Sequence, residues 1–224
     1  MVRRVCWSDR SYYAAGAIKE FAIPSPAEAD GIAAGPDGNL WFTEDGVMSF
    51  GICTTNGMIT EKPFPTAAMD ASITVGANGN IWFVEGGITY PQVARISVSG
   101  VATEFPIPTL NSNPQGIAAG ADGNIWFAEN GKIGRMTTSG AATVEFSIPG
   151  GISYLVTPGP DGNIWFTGGN GSDPIIGNIT PDGTVTAFPV SSVPNGITSG
   201  PDGNIWFTEP SYGSAAQIGR FIPP

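Results

Sequence analysis

Pro36-Asp37-Gly38-Asn39-Leu40-Trp41-Phe42-Thr43-Glu44 sets a turn directly ahead of a short apolar strand. The phrase returns at Ala77–Glu85, Ala121–Glu129, Pro160–Gly168 and Pro201–Glu209. Its tryptophans, Trp41, Trp82, Trp126, Trp165 and Trp206, stand 41, 44, 39 and 41 residues apart. A period near 40 built from several short strands is the pattern of β-propeller blades.

Working outward from that phrase, each unit divides into four strands. The first is short and made of small residues: Gly31–Gly35, Ser72–Gly76, Gly116–Gly120, Leu155–Gly159 and Gly196–Gly200. Small side chains suit the crowded axis where inner strands converge. Asp37-Gly38, Asn78-Gly79, Asp122-Gly123, Asp161-Gly162 and Asp202-Gly203 supply the positive φ of a hairpin turn. The second strand sets Leu40 and Phe42 on one face and Trp41 on the other, so both faces need covering by stacked neighbours. The third carries Ile133-Gly134-Arg135-Met136 and its counterparts. The fourth, Thr103-Glu104-Phe105-Pro106-Ile107-Pro108 and its relatives, tolerates proline because an outer edge strand can spare a ladder donor.

The last unit stops at a third strand, Gln217–Phe221, whereas an orphan outer strand, Lys19-Glu20-Phe21-Ala22-Ile23-Pro24, opens the repeat region. Docking that orphan on the last blade predicts an all-β, five-bladed propeller over residues 18–224, its ring closed by the N-terminal strand; a monomer is expected. Residues 1–17 are then an extension. Ser11–Gly16 also resembles the tail of a third strand, which a preceding blade would supply.

Composition narrows the function. With 32 Gly and 20 Pro the chain is turn-rich, but 41% hydrophobic residues and 23 aromatics set it apart from disordered Gly/Pro-rich sequences. A net charge of −10 argues against nucleic acid. No apolar run reaches the ~18 residues of a membrane span, and no signal peptide is readable. The chain as written is expected in the cytoplasm, with export only if a leader precedes it. Cys6 and Cys53 have no metal-site spacing; Cys53 fills a slot held elsewhere by Ile96, Met136, Ile179 and Phe221, so a buried thiol is expected, without a disulfide. There is no histidine, which removes the commonest general base.

Three stretches together, Glu104–Pro108, Gly31–Glu44 and Lys132–Gly140, resemble the virginiamycin B (streptogramin) lyase family from about Ile18 onward. The resemblance implies seven-bladed propellers that open the lactone of type B streptogramins by elimination, with Mg²⁺ and a histidine base at the channel mouth. This chain departs from that pattern in carrying five units and no histidine.

In a propeller of this strand order, the segment leading into each first strand and the loop leaving each second strand share one face. Asp30, Ala71, Gln115, Tyr154 and Asn195 precede the first strands and differ in every blade while the framework repeats. Asp30, Gln115, Tyr154 and Asn195 are therefore the expected ligand contacts, for a small molecule or a protein partner. Loops Asn111–Asn113 and Ser211–Gly213, with Tyr90, offer further polar and aromatic contacts. Glu44, Glu85, Glu129 and Glu209 end second strands on the same face. Sheets stack about 10 Å apart, too far for all four to share one ion. Arg95, Arg135 and Arg220 occur in the blades that have the other three acids, so Glu–Arg pairs are expected, with stacking of the arginines on the tryptophans as the alternative. Blade one has Ile52 in the arginine position, which leaves Asp30, Glu44 and Asp45 as the candidate metal ligands, Mg²⁺ being the ion that the resemblance implies.

Two classes of function follow: a non-catalytic propeller binding a ligand at its channel mouth, or a Mg²⁺-dependent carbon–oxygen lyase using an acid or Tyr154 as base. A piece of a longer ring is a third reading.

Overall fold

The computed structural model describes residues 18–26, 28–45, 47, 49–64, 72–86, 89–141, 143–210 and 216–223. The expected extension 1–17, with Cys6, Trp7, Tyr12 and Tyr13, falls outside them, as do Ala71 and Ser211–Gly213. Every regular element among the described residues is a strand, and no helix is long and apolar enough to cross a membrane.

Blade one comprises β1 (Glu28–Ala34), β2 (Leu40–Asp45), β3 (Ser49–Cys53) and β4 (Ile59–Pro63); blade two β5 (Ile73–Val75), β6 (Ile81–Glu85), β7 (Gln92–Ile96) and β8 (Ala102–Pro106). Blade three comprises β9 (Ile117–Ala119), β10 (Ile125–Glu129), β11 (Lys132–Met136) and β12 (Thr143–Ser147). Blade four comprises β13 (Ser153–Pro158), β14 (Ile164–Gly169), β15 (Pro174–Ile179) and β16 (Val185–Pro189); blade five β17 (Ile197–Ser199), β18 (Ile205–Glu209) and β19 (Gln217–Phe221). Each is an antiparallel meander, four-stranded in blades one to four and three-stranded in blade five. The inner strands pack in series, β1 on β5, β5 on β9, β9 on β13 and β13 on β17.

The turn after each first strand is one residue longer than a two-residue Asp-Gly hairpin. Gly38 N–H donates to Gly35 O at 3.1 Å and Gly35 N–H to Asn39 O at 2.7 Å, with Gly38 at φ 79°. This is a three-residue loop closed by a left-handed glycine. Its aspartate also reaches the following strand. Asp37 Oδ1 accepts from Trp41 Nε1 at 3.1 Å, and Asn78, Asp122, Asp161 and Asp202 bind Trp82, Trp126, Trp165 and Trp206 in the same way. A buried indole N–H is thereby satisfied within its own hairpin.

The core lies between blades. Trp126, Ala128 and Ile133 of blade three pack against Val156, Ile164, Phe166 and Ile179 of blade four, and the same positions meet at the one–two, two–three and four–five junctions. Phe127 lies over Gly134, where an added Cβ would stand 2.1 Å from the ring; Phe42, Phe166 and Phe207 use Gly51, Gly177 and Gly219 alike. Cys53 is buried and free, as expected.

Residues 19–24, expected as the strand that completes blade five, set the Phe21 ring on Gly57 of blade one. No strand among the described residues pairs with the outer edge of β19.

Gly134→Ala should destabilise the protein by about 1–3 kcal/mol, since the ring it displaces is fully buried. Urea unfolding should show a lower midpoint at unchanged slope; an unshifted midpoint would refute the role given to this glycine.

Candidate functional site

The lead-in segments and the ends of the second strands do share one face. Gln115 N–H donates to Ala128 O at 3.0 Å and Asn195 N–H to Thr208 O at 2.9 Å, tying the lead-in of blades three and five to their own second strands. In blades one and four the register shifts between Ala29 and Ile32 and between Ser153 and Val156. Asp30 and Tyr154 sit within these irregularities, a backbone device that re-aims side chains next to sites. Thr43 and Thr167 of the adjacent second strands hold the bulged backbone, accepting from Gly31 N–H at 2.9 Å and Leu155 N–H at 3.2 Å.

Asp30 lines a cavity of about 330 Å³ with Phe21, Ile32 and Phe42. Asn195 lines another of about 280 Å³ with Glu209 and Gln217. Gln115 and Tyr154, both half-buried, line neither. The four variable residues thus share a face but occupy separate stations along it.

The expected Glu–Arg pairs do not form, and the register supplies the reason. Arg95 and Arg135 lie opposite Trp82 and Trp126, whereas Glu85 and Glu129 lie opposite Gln92 and Lys132. Three residues of strand place each acid about 10 Å from its arginine and on the other face of the sheet. The arginines stack instead on the indoles, 5.7 Å from the Trp82 centroid, 5.6 Å from Trp126 and 5.6 Å from Trp206.

Glu209, and in part Glu44, find partners in the segment arriving from the previous outer strand. Glu209 accepts from Ser191 N–H and Ser192 N–H, each at 3.0 Å, and from Ser191 Oγ at 3.1 Å. Glu44 accepts from Ser49 Oγ at 2.5 Å and Ser25 Oγ at 3.5 Å. Thr109 donates its N–H and hydroxyl to Glu145 at 2.9 and 2.7 Å, and Lys132 completes that group with an ion pair to Glu145 at 2.5 Å. Ser25, Thr109 and Ser191 each follow the Pro-rich end of an outer strand, a regularity visible in the sequence but without meaning until the register is known.

Glu129 differs from the others. Both its carboxylate oxygens and the neighbouring Ser112 Oγ are buried without a hydrogen bond of normal geometry. Burial, aided by the charge of Glu145 and only partly offset by Ser112 and Lys132, pushes its pKa up to about 7. Burial, with Glu61 nearby, likewise raises Glu44. Burial would raise Glu145 too, but Lys132 and Thr109 outweigh it and hold that carboxyl below its usual range.

For the Mg²⁺ implied by the resemblance, Glu44 already engages its oxygens with two hydroxyls. Among the described residues no three Asp, Glu, Cys or His side chains converge as an ion would require. The Asp45 side chain lies outside those residues.

Stacked antiparallel meanders around a line of small inner strands define a β-propeller. The Virginiamycin B lyase family matches residues 11–151, and the chain belongs to that family. It is similar to a streptogramin B lyase at 35% identity, covering 86% of this chain and 66% of that one, with a TM-score of 0.77. It is similar to the virginiamycin B lyase of Staphylococcus aureus at 31% identity, covering 88% and 70%, with a TM-score of 0.74. A catalytically inactive histidine-to-alanine form of the latter, crystallised with quinupristin, matches at 28% identity over 92% and 73%, TM-score 0.76. The chain spans about two thirds of the length of the streptogramin B lyase. A putative gluconolactonase at 13% identity and TM-score 0.62 shares the fold alone. No curated protein matches the chain.

The Glu129 pKa makes a signed prediction. The unfolded acid titrates near 4.5 and the folded one near 7, so the folded state prefers the proton. Ionising Glu129 costs nothing below the lower value, and its cost grows across this window to a plateau above it. Glu129→Gln should therefore stabilise the protein by about 1–3 kcal/mol at pH 8 and leave it unchanged at pH 4. Urea melts across this range check it; equal effects at both ends would refute the buried charge.

Proposed function

We propose that this chain is a ligand-binding member of the virginiamycin B lyase family that holds a small molecule on the face bearing Asp30, Gln115, Tyr154 and Asn195, without the histidine-based elimination that the resemblance implies. The observation that carries it is the absence of histidine from all 224 residues. General-base chemistry near neutral pH needs a group that gains and loses a proton there and reaches the substrate. Glu129 titrates in that range, but it is wholly buried. The inactive histidine-to-alanine relative crystallised with quinupristin supports a binding face separable from chemistry.

Variation at the mouth against a constant framework supports the same reading. Bulges at Asp30 and Tyr154 shape the lead-in of two blades, and Gln115 and Asn195 occupy the equivalent step in two others. Those four side chains combine a carboxylate, two amides and a phenol, a set suited to a polar macrocycle with amide and ester groups.

Quinupristin is the probe. Calorimetric titration should show saturable binding, with the ligand recovered intact by chromatography whether Mg²⁺ or EDTA is present. Tyr154→Ala or Asn195→Ala should weaken binding about tenfold, as expected for a single anchor. Mg²⁺-dependent ring opening would overturn the proposal in favour of a lyase, and absence of binding would overturn the ligand class.

A further inference from the structure

At every interior junction the face of one blade that carries its tryptophan is covered by the next blade. Val93, Ile133 and Ile176 hold one repeat position in blades two to four and are 0%, 0% and 1% exposed. Ile218 holds that position in blade five and is 73% exposed. It lines an open apolar cavity of about 390 Å³ with Trp206 and Thr208. Trp206 is half-buried where the other four repeat tryptophans are buried. At the opposite end of the series Ile32, the counterpart of buried Val156, is 63% exposed.

The missing partners are identifiable from the repeat. In blades two and three the tryptophan is stacked by an outer-strand phenylalanine, Trp82 on Phe105 at 5.7 Å and Trp126 on Phe146 at 5.9 Å. The arginine opposite the tryptophan covers the same phenylalanine, at 5.3 and 5.5 Å. Trp206 and Arg220 are already stacked together, but among the described residues blade five has no outer strand to add the third ring. Phe21 is that ring without its sheet. It lies over Gly57 as Phe105 lies over Gly140 and Phe146 over Gly183, and Lys19 Nζ takes the cation's place 4.8 Å from its centroid. Residues 18–24 and blade one therefore form a ready-made following blade with the preceding blade's outer strand attached.

Among the described residues the inner strands stack in series from β1 to β17, and β17 shows no packing on β1 comparable to that of the serial pairs.

We propose that the end face of blade five binds a second copy of this chain, whose residues 18–24 pair with β19 while its blade one covers Trp206 and Ile218. The register follows from Ile133 opposite Phe146: Ile218 meets Phe21, Gly219 meets Glu20 and Arg220 meets Lys19. The contact is head-to-tail, so it propagates unless it closes on itself. The Arg220–Lys19 pair is of like charge, where blade two sets Arg95 opposite Thr103, and directly opposed like charges weaken a sheet. The argument for this association does not rest on the ligand proposal, although the cavity beside Asp30 is lined by Phe21 and Ile32 and shares the blade-one surface.

Sedimentation velocity of the full chain should show mass rising with concentration. Phe21→Ala and Ile218→Lys should each abolish that rise with the circular dichroism unchanged; Ile218→Lys, at a position 73% exposed, should also leave the melting transition in place, whereas loss of the Phe21 ring from Gly57 should lower it slightly. Lys19→Thr should tighten association about two- to fivefold, the range for one cross-strand charge pair. The deciding arm mixes Phe21→Ala with Ile218→Lys: the first retains an intact face and the second an intact strand, so the mixture should form a one-to-one dimer. Wild-type chain that stays monomeric throughout, or a mixture that forms no dimer, would overturn the proposal. Monomer with the amides of β19 protected from hydrogen exchange would show the strand docked within its own chain instead.

Discussion

One indole per blade, buried in the first four, holds the molecule together. Each repeat tryptophan is tied through Nε1 to the turn aspartate or asparagine four residues before it. In blades two to four it is stacked by an aromatic ring from the outer strand of its own blade. In blade one Phe50 of the third strand takes that role at 5.4 Å. The indole therefore links the first hairpin of a blade to its outer part, and its face also enters the contact with the next blade. Arginine adds a cation to the stack at half-buried positions, where the long aliphatic stem covers the ring and the charged head reaches backbone carbonyls of the following blade.

The propeller was legible because its signals are local and repeated. A positive-φ glycine, a two-faced apolar strand and a proline-ended edge recur with one period, and each constrains the backbone whatever its neighbours do. Cys53 was placed by the same logic, from the slot it fills. Closure of the ring was harder to read, because it depends on whether two distant faces meet, and curvature is the sum of small rotations between blades that no single residue encodes.

The site was legible only in part. That the lead-in segments share a face follows from strand order alone, and Asp30, Gln115, Tyr154 and Asn195 stand there. Which acids pair with which cations does not follow from co-occurrence in a blade. Glu129 and Arg135 lie in paired strands, yet the register sets one opposite Lys132 and the other opposite Trp126. Period-two geometry then sends their side chains to opposite faces. The partners of Glu209, and one of those of Glu44, come from the segment after the preceding outer strand and are hydroxyls and backbone amides, groups too common for composition to single out.

In each case noted, the phenylalanine that covers a hairpin glycine precedes it in the chain: Phe21 before Gly57, Phe105 before Gly140 and Phe146 before Gly183. A ribosome would therefore deliver the covering ring before the hairpin that it covers. At roughly 5–20 residues per second a repeat emerges every few seconds, and each finds its docking platform already made. Growth by addition at one end keeps contacts between successive repeats and limits the time an apolar blade face stays bare to the interval before the next repeat arrives. The order of residues within the repeat thus works as an assembly instruction, written in the direction in which the chain is synthesised.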